Sequence, residues 1–223
     1  MCNLGKTVTI KLAACAAIAT ITSASTAGVA YAFTDGSQGW GIVNDGTGFE
    51  WDNTIGNNEL GAIRARDVVS GNIWLFSAPV EDLGNLSGLY NNSISYDILG
   101  ITGNHTNLGG DRADIILTGG GISIGIDAGT QPVNDQWTSA SALVSVDADW
   151  RIISSFADAT LTGSLATEGQ IQSVLADMTG LYIRGEYTNG GDSTAIDNVD
   201  LVPAPSALAL FMLSALTVTS RKR

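Results

Sequence analysis

From Ser93 to Ile98 the chain alternates. Ile94, Tyr96 and Ile98 fall on one side of an extended backbone, and Ser95 and Asp97 fall on the other. The same two-residue period links Ile122, Ile124 and Ile126. It returns at Val144, Val146, Ala148 and Trp150, which alternate with Ser145, Asp147 and Asp149. Each stretch predicts a strand with one wetted face. The strands are punctuated by the turn-forming runs "NDGTG", "GNN", "LGGD" and "NGGD". Short strands with such breaks predict an all-β domain, two antiparallel sheets packed as a sandwich. One segment departs from the period. Ile171, Val174, Leu175 and Met178 follow the i, i+3, i+4, i+7 spacing of a helix. Thr167 and Gln170 form a capping box and Gly180 supplies a stop, so one helix is predicted near 168–179.

Composition places this domain outside the cell and narrows its partners. Charged residues are 14% of the 223, and glycines number 27. All 22 acidic residues lie between Asp35 and Asp200, where the basic residues are five arginines, for a net of −17. Such a surface repels nucleic acid and anionic lipid and suits cations such as calcium, or neutral sugars.

The two ends read as address labels. Lys6 and Lys11, the apolar run Leu12–Ile21 and the small-x-small pattern Ala30-Tyr31-Ala32 predict a signal peptide over 1–32. The cut is expected between Ala32 and Phe33. "LAAC" at Leu12–Cys15 resembles a lipoprotein box, but Lys11 abuts it and leaves no apolar run before the cysteine. Both cysteines, Cys2 and Cys15, fall in the leader. The domain over 33–201 is therefore free of disulfides and thiolate metal sites. At the other end Pro203 and Pro205 precede the apolar run Ala207–Val218 and the basic Arg221-Lys222-Arg223. Twelve helical residues reach about 18 Å, short of a bilayer core of about 30 Å. The segment 202–223 resembles the PEP-CTERM sorting tail, with Val202-Pro203-Ala204-Pro205 in place of the usual Val-Pro-Glu-Pro. That resemblance implies export through the secretion machinery and a transient inner-membrane hold. It also implies handling by an exosortase-type transpeptidase and association with exopolysaccharide or biofilm matrix.

The body resembles the laminin B (laminin IV) domain. The residues that carry the likeness are Gly39-Trp40, Trp74, Ala78-Pro79, Leu83-Gly84 and Tyr90 ahead of an alternating strand. "ADIILTGGGISI", Trp137, Trp150, "VLADMTGLYIRGEY" and "AIDNVDL" follow in the same order. The family has cysteine-rich neighbours and this chain has no cysteine here. The resemblance implies a jelly-roll sandwich of the galactose-binding-like type, with a structural or adhesive role and no catalysis.

Chemistry-bearing residues are sparse. His105 is the single histidine, in the loop "TGNHTNLGGD", and reads as a solvated loop residue. Without a second histidine or a cysteine, a zinc site or a Ser-His-Asp triad is hard to assemble. Paired carboxylates could serve a glycan hydrolase, but abundance of acid is not arrangement. In "AIDNVDL" strict alternation puts Asp197 on the face of Ala195, Val199 and Leu201, turning a carboxylate inward. Three resolutions stay open: an ion pair with Arg184, a structural calcium site shared with Asp35 and backbone carbonyls, or a bulge that turns Asp197 outward. Trp40, Trp74 and Trp150 read as core. Trp51 and Trp137, beside polar loops, are the candidate platforms for a sugar ring. The expected role is a non-enzymatic surface or matrix protein; a carbohydrate-binding module is the alternative.

Overall fold

The computed structural model describes residues 28–57, 61–68, 71–105, 111–188 and 190–201. Most of the expected leader and the whole sorting tail, Val202, Pro203, Ala204 and Pro205 included, lie outside the described residues. Among those described, no helix is long and apolar enough to cross a membrane.

Among the described residues, twelve strands build two antiparallel sheets. The first sheet runs β3 (Thr47–Asp52), β4 (Ala62–Arg66), β12 (Ser193–Leu201), β6 (Ser93–Thr102) and β9 (Trp137–Leu143). β1 (Val29–Tyr31) pairs with the far end of β12, Val29 opposite Leu201 and Tyr31 opposite Val199. The second sheet runs β10 (Arg151–Ile152), β8 (Ile122–Ile126), β7 (Ile115–Gly119), β11 (Met178–Arg184), β5 (Leu75–Ser77) and β2 (Gly41–Val43). The fold is an antiparallel jelly-roll β-sandwich. Its core lies between the inner faces, where Ile63, Ile94, Ile98 and Ile196 of the first sheet meet Phe76, Ile115, Leu117, Leu181 and Ile183 of the second.

Helix α1 (Glu168–Ala176) opens on the predicted capping box. Thr167 accepts from the Gln170 backbone N–H, and the Gln170 side chain accepts from the Thr167 N–H. Ile171, Val174 and Leu175 bury its apolar stripe on the main core. The helix ends three residues earlier than its spacing suggests. Met178 exchanges both backbone hydrogen bonds with Gly84 and pairs with Gly119, so it starts β11 instead of a last helical turn. Gly180, expected to end the helix, lies inside that strand. A glycine is required at 119: a Cβ there would stand 2.4 Å from the Val174 carbonyl oxygen.

The alternating stretch Val144–Trp150 is a turn and not a strand. β9 stops at Leu143, Asp147 N–H donates to Ser145 Oγ, and Val146 is exposed while Val144 and Trp150 are fully buried. The period there comes from two core anchors on either side of a polar turn.

Candidate functional site

The outer faces of the two sheets differ. That of the second sheet is covered over part of its width by the segment 153–161, whose Ile153, Ala159 and Leu161 pack on Leu75, Ala113 and Ile116; beyond it a cleft of about 430 Å³ is lined by Thr118, Ser123, Ile152 and Thr179, with no charged or aromatic side chain. That of the first sheet is open along part of its width. Cross-strand register sets one row as Trp137, Leu99, Ala195, Arg64 and Glu50, and the next as Ser139, Asp97 and Asp197, while Ala62 pairs with Asp52 just past the end of the β4–β12 ladder. In the first row Arg64 bridges Glu50 at 2.6 Å and Asp52 at 3.2 Å. Beside it a cleft of about 410 Å³ is lined by Glu50, Arg64, Arg66, Ile101 and Thr102.

The second row explains Asp197. A bulge interrupts β12 between Asp197 and Asp200, with Asn198 in the left-handed region at φ 49°. The extra residue breaks the alternation. Ile196, Val199 and Leu201 face the core, and Asp197 faces outward with Ala195. It is nonetheless fully buried, because the loop after β3 folds over it. Its oxygens accept from the backbone N–H groups of Asn57 and Asn198. Its register partner Asp97 accepts from Ser139 Oγ and from the side-chain amides of Asn57 and Asn198. Arg184 lies on the other sheet, 3.7 Å from Asp114. Asp35 is exposed in the turn after β1. Among the described residues no three His, Cys, Asp or Glu side chains converge to hold a metal ion. The backbone N–H groups that reach Asp197 offset the burial of its charge. Adding a chelator at neutral pH should move the melting temperature by no more than about 2 °C. A larger drop, reversed by calcium, would support a calcium site there.

Trp51 and Trp137 stand on different faces. Trp51 aligns with Ile63 and packs on the main core, its indole N–H donating to the Phe33 carbonyl at 2.6 Å. Trp137 lies on the outer face of the first sheet with Leu99, Ile101 and Ile55, its N–H donating to the Ile55 carbonyl at 3.0 Å. Of the two expected platforms, only Trp137 belongs to the open face.

Two groups of buried charge escaped sequence reasoning because their members are scattered along the chain. Asp114, Asp127, Arg184 and Tyr187 line a second cleft of about 480 Å³. Arg184 stacks 4.4 Å over the Tyr187 ring, and Tyr187 donates its hydroxyl proton to Asp114 at 3.0 Å. Burial lifts the Asp114 carboxyl to about 7; the Arg184 guanidinium pulls it back, and a hydrogen-bonded Asp127 pushes it further up. In the second group Asp192 accepts from the Trp74 indole and the Tyr187 backbone N–H, and Glu186 accepts from the Trp74 backbone N–H. Burial raises Asp192 to about 6 and Glu186 to about 8, and neighbouring acids add to both. His105 is not solvated as expected. Its side chain is 2% exposed, with Nδ1 3.8 Å from Asp192, and burial lowers its pKa.

Gly121-Ile122-Ser123-Ile124-Gly125 spells the Gly-x-Ser-x-Gly pattern of hydrolase elbows. Here it runs along the hairpin strand β8, opposite Thr118, where an elbow needs a sharp strand-to-helix turn. The single histidine, His105, lies beside Asp192, its Nδ1 3.8 Å from the carboxylate.

Comparison with solved structures places this architecture among known domains. The L4b domain of human laminin alpha-2 superposes with a TM-score of 0.50 at 16% identity, covering 59% of this chain and 70% of that one. An exo-beta-agarase structure gives a TM-score of 0.55 at 12% identity, covering 78% of this chain but 24% of that one. A family 11 carbohydrate-binding module from Clostridium thermocellum, in complex with a beta-1,3-1,4-mixed-linked tetrasaccharide, gives 0.47 at 13% identity, covering 81% and 98%. At such identities the likeness concerns the fold. No curated protein matches the chain in sequence. The sequence profile of Laminin B (Domain IV) matches residues 75–210, more than half of the chain. The protein belongs to the laminin B (domain IV) family.

Proposed function

We propose that the protein is a non-enzymatic module of the cell surface or extracellular matrix that binds a neutral polysaccharide across the outer face of its first sheet. The observation that carries this reading is the difference between the two outer clefts. That of the second sheet is lined by no charged or aromatic side chain. In that of the first sheet the Arg64–Glu50 pair adjoins aliphatic Ile101, on the face that carries Trp137. Paired guanidinium and carboxylate groups hydrogen-bond sugar hydroxyls, and an indole or aliphatic surface takes the apolar face of a pyranose ring. The net charge of the body favours neutral over acidic chains. In this reading a leader exports the chain and an exosortase-type transpeptidase acts near Val202–Pro205. A transient inner-membrane hold precedes release to the exopolysaccharide outside.

A glycan array, followed by affinity electrophoresis on any polysaccharide retained, tests the reading. Arg64→Ala and Trp137→Ala should each weaken retention by about tenfold or more, the order of a lost stacking or charged hydrogen bond. Trp51→Phe should leave it unchanged. Retention equal to wild type in both face variants, with melting curves intact, would remove the first sheet as the binding face.

A further inference from the structure

We infer that the leader is removed after Ala27, so that the mature chain begins at Gly28 and keeps β1. The inference rests on the export reading and refines it. By pattern alone Ala30-Tyr31-Ala32 is the better match to a small-x-small cleavage site. A cut there would discard a strand that the sandwich uses.

Val29, Ala30 and Tyr31 pair residue by residue with Leu201, Asp200 and Val199, filling the place beside β12 that β4 leaves vacant. Tyr31 is 4% exposed. Its ring meets Trp40 edge-on at 5.2 Å and stacks on Phe33 at 6.3 Å, and its hydroxyl donates to Asp82 at 3.1 Å. Removing residues through Ala32 would uncover Trp40 and Phe33, strip the ladder from the end of β12 and begin the chain at a buried phenylalanine. Buried aromatic side chains are among the costliest to delete. A leader peptidase needs its substrate accessible, and β1 is not accessible once it is paired.

Upstream of β1, Ser25-Thr26-Ala27 offers a small-x-small sequence whose cut keeps the whole strand, directly before Gly28, which is exposed. Hydrolysis there is chemically ordinary. A membrane-bound leader peptidase directs water at the Ala27 carbonyl carbon and the Ala27–Gly28 amide bond breaks. The leader keeps a C-terminal carboxylate and the mature chain gains a Gly28 ammonium group, one residue short of the first paired position.

The test uses the full chain, expressed in a Gram-negative host with its own export machinery. Protein recovered from outside the inner membrane is read by N-terminal sequencing and intact mass. A start at Gly28 is the expected result. A start at Phe33 overturns the inference while leaving export in place. A chain that begins at Met1 and stays in the cytoplasm overturns the export reading with it. Two variants separate the sites further. Ala27→Leu should accumulate the precursor, whereas Ala32→Leu should be processed as wild type; the reverse pattern overturns the inference.

Discussion

Raising the pH from about 5 to about 9 should destabilise the sandwich by at least about 2 kcal/mol, lowering the melting temperature by about 5 °C or more. The sign follows from three buried carboxyls. Asp192, Asp114 and Glu186 hold their protons in the folded state to about pH 6, 7 and 8, against about 4 for exposed carboxyls. Folding therefore favours the protonated forms. Their contribution is complete below about pH 4 and is lost as pH rises through the three folded values. Self-repulsion of a strongly acidic surface acts in the same direction. Denaturant midpoints at several pH values give the measurement. Asp114→Asn and Glu186→Gln, which carry a permanent neutral group, should flatten the alkaline half of the curve. A midpoint that rises from pH 5 to 9 would mean that these carboxyls are ionised in the folded state at no cost.

The second large effect centres on Trp74. This side chain is fully buried and meets Phe76 edge-on at 4.9 Å. Its ring lies so close to Gly185 that a Cβ there would come within 2.0 Å of it. Trp74→Ala should cost about 4 kcal/mol, from the cavity together with the lost donor to Asp192. Gly185→Ala should cost about 3 kcal/mol from the opposite cause, since the indole has no free direction in which to move. Val80→Ala, at an exposed position, should stay within about 0.5 kcal/mol. Equal midpoints for Gly185→Ala and wild type would show that the indole yields to the added methyl group.

Local patterns survived into the structure where one element made them and failed where two met. β6 and β8 follow the period of their own residues, and α1 opens on its own capping box. Met178 satisfies the helical spacing, yet its backbone is claimed by Gly84, far away in sequence. The Val144–Trp150 alternation is a coincidence of two buried anchors around a turn. Asp197 turned on one residue, Asn198, whose left-handed backbone reverses the facing of everything after it. Trp51 and Trp137 have similar polar neighbours in sequence, and only the register of β3 and β9 separates inner face from outer. The buried acids were illegible for a different reason. Asp45, Asp67 and Asp192 act together on the Glu186 carboxyl, and the four residues come from three separate stretches of chain. β1 was hidden because Val29-Ala30-Tyr31 overlaps the small-x-small pattern Ala30-Tyr31-Ala32.

The pairing of Val29 with Leu201 has a mechanical meaning. The chain enters and leaves the sandwich at neighbouring points of one antiparallel ladder. Tension between residues 28 and 201 thus falls on that short ladder in the unzipping direction, one hydrogen bond after another. β1 would peel away under modest force while the rest of the two sheets stays whole.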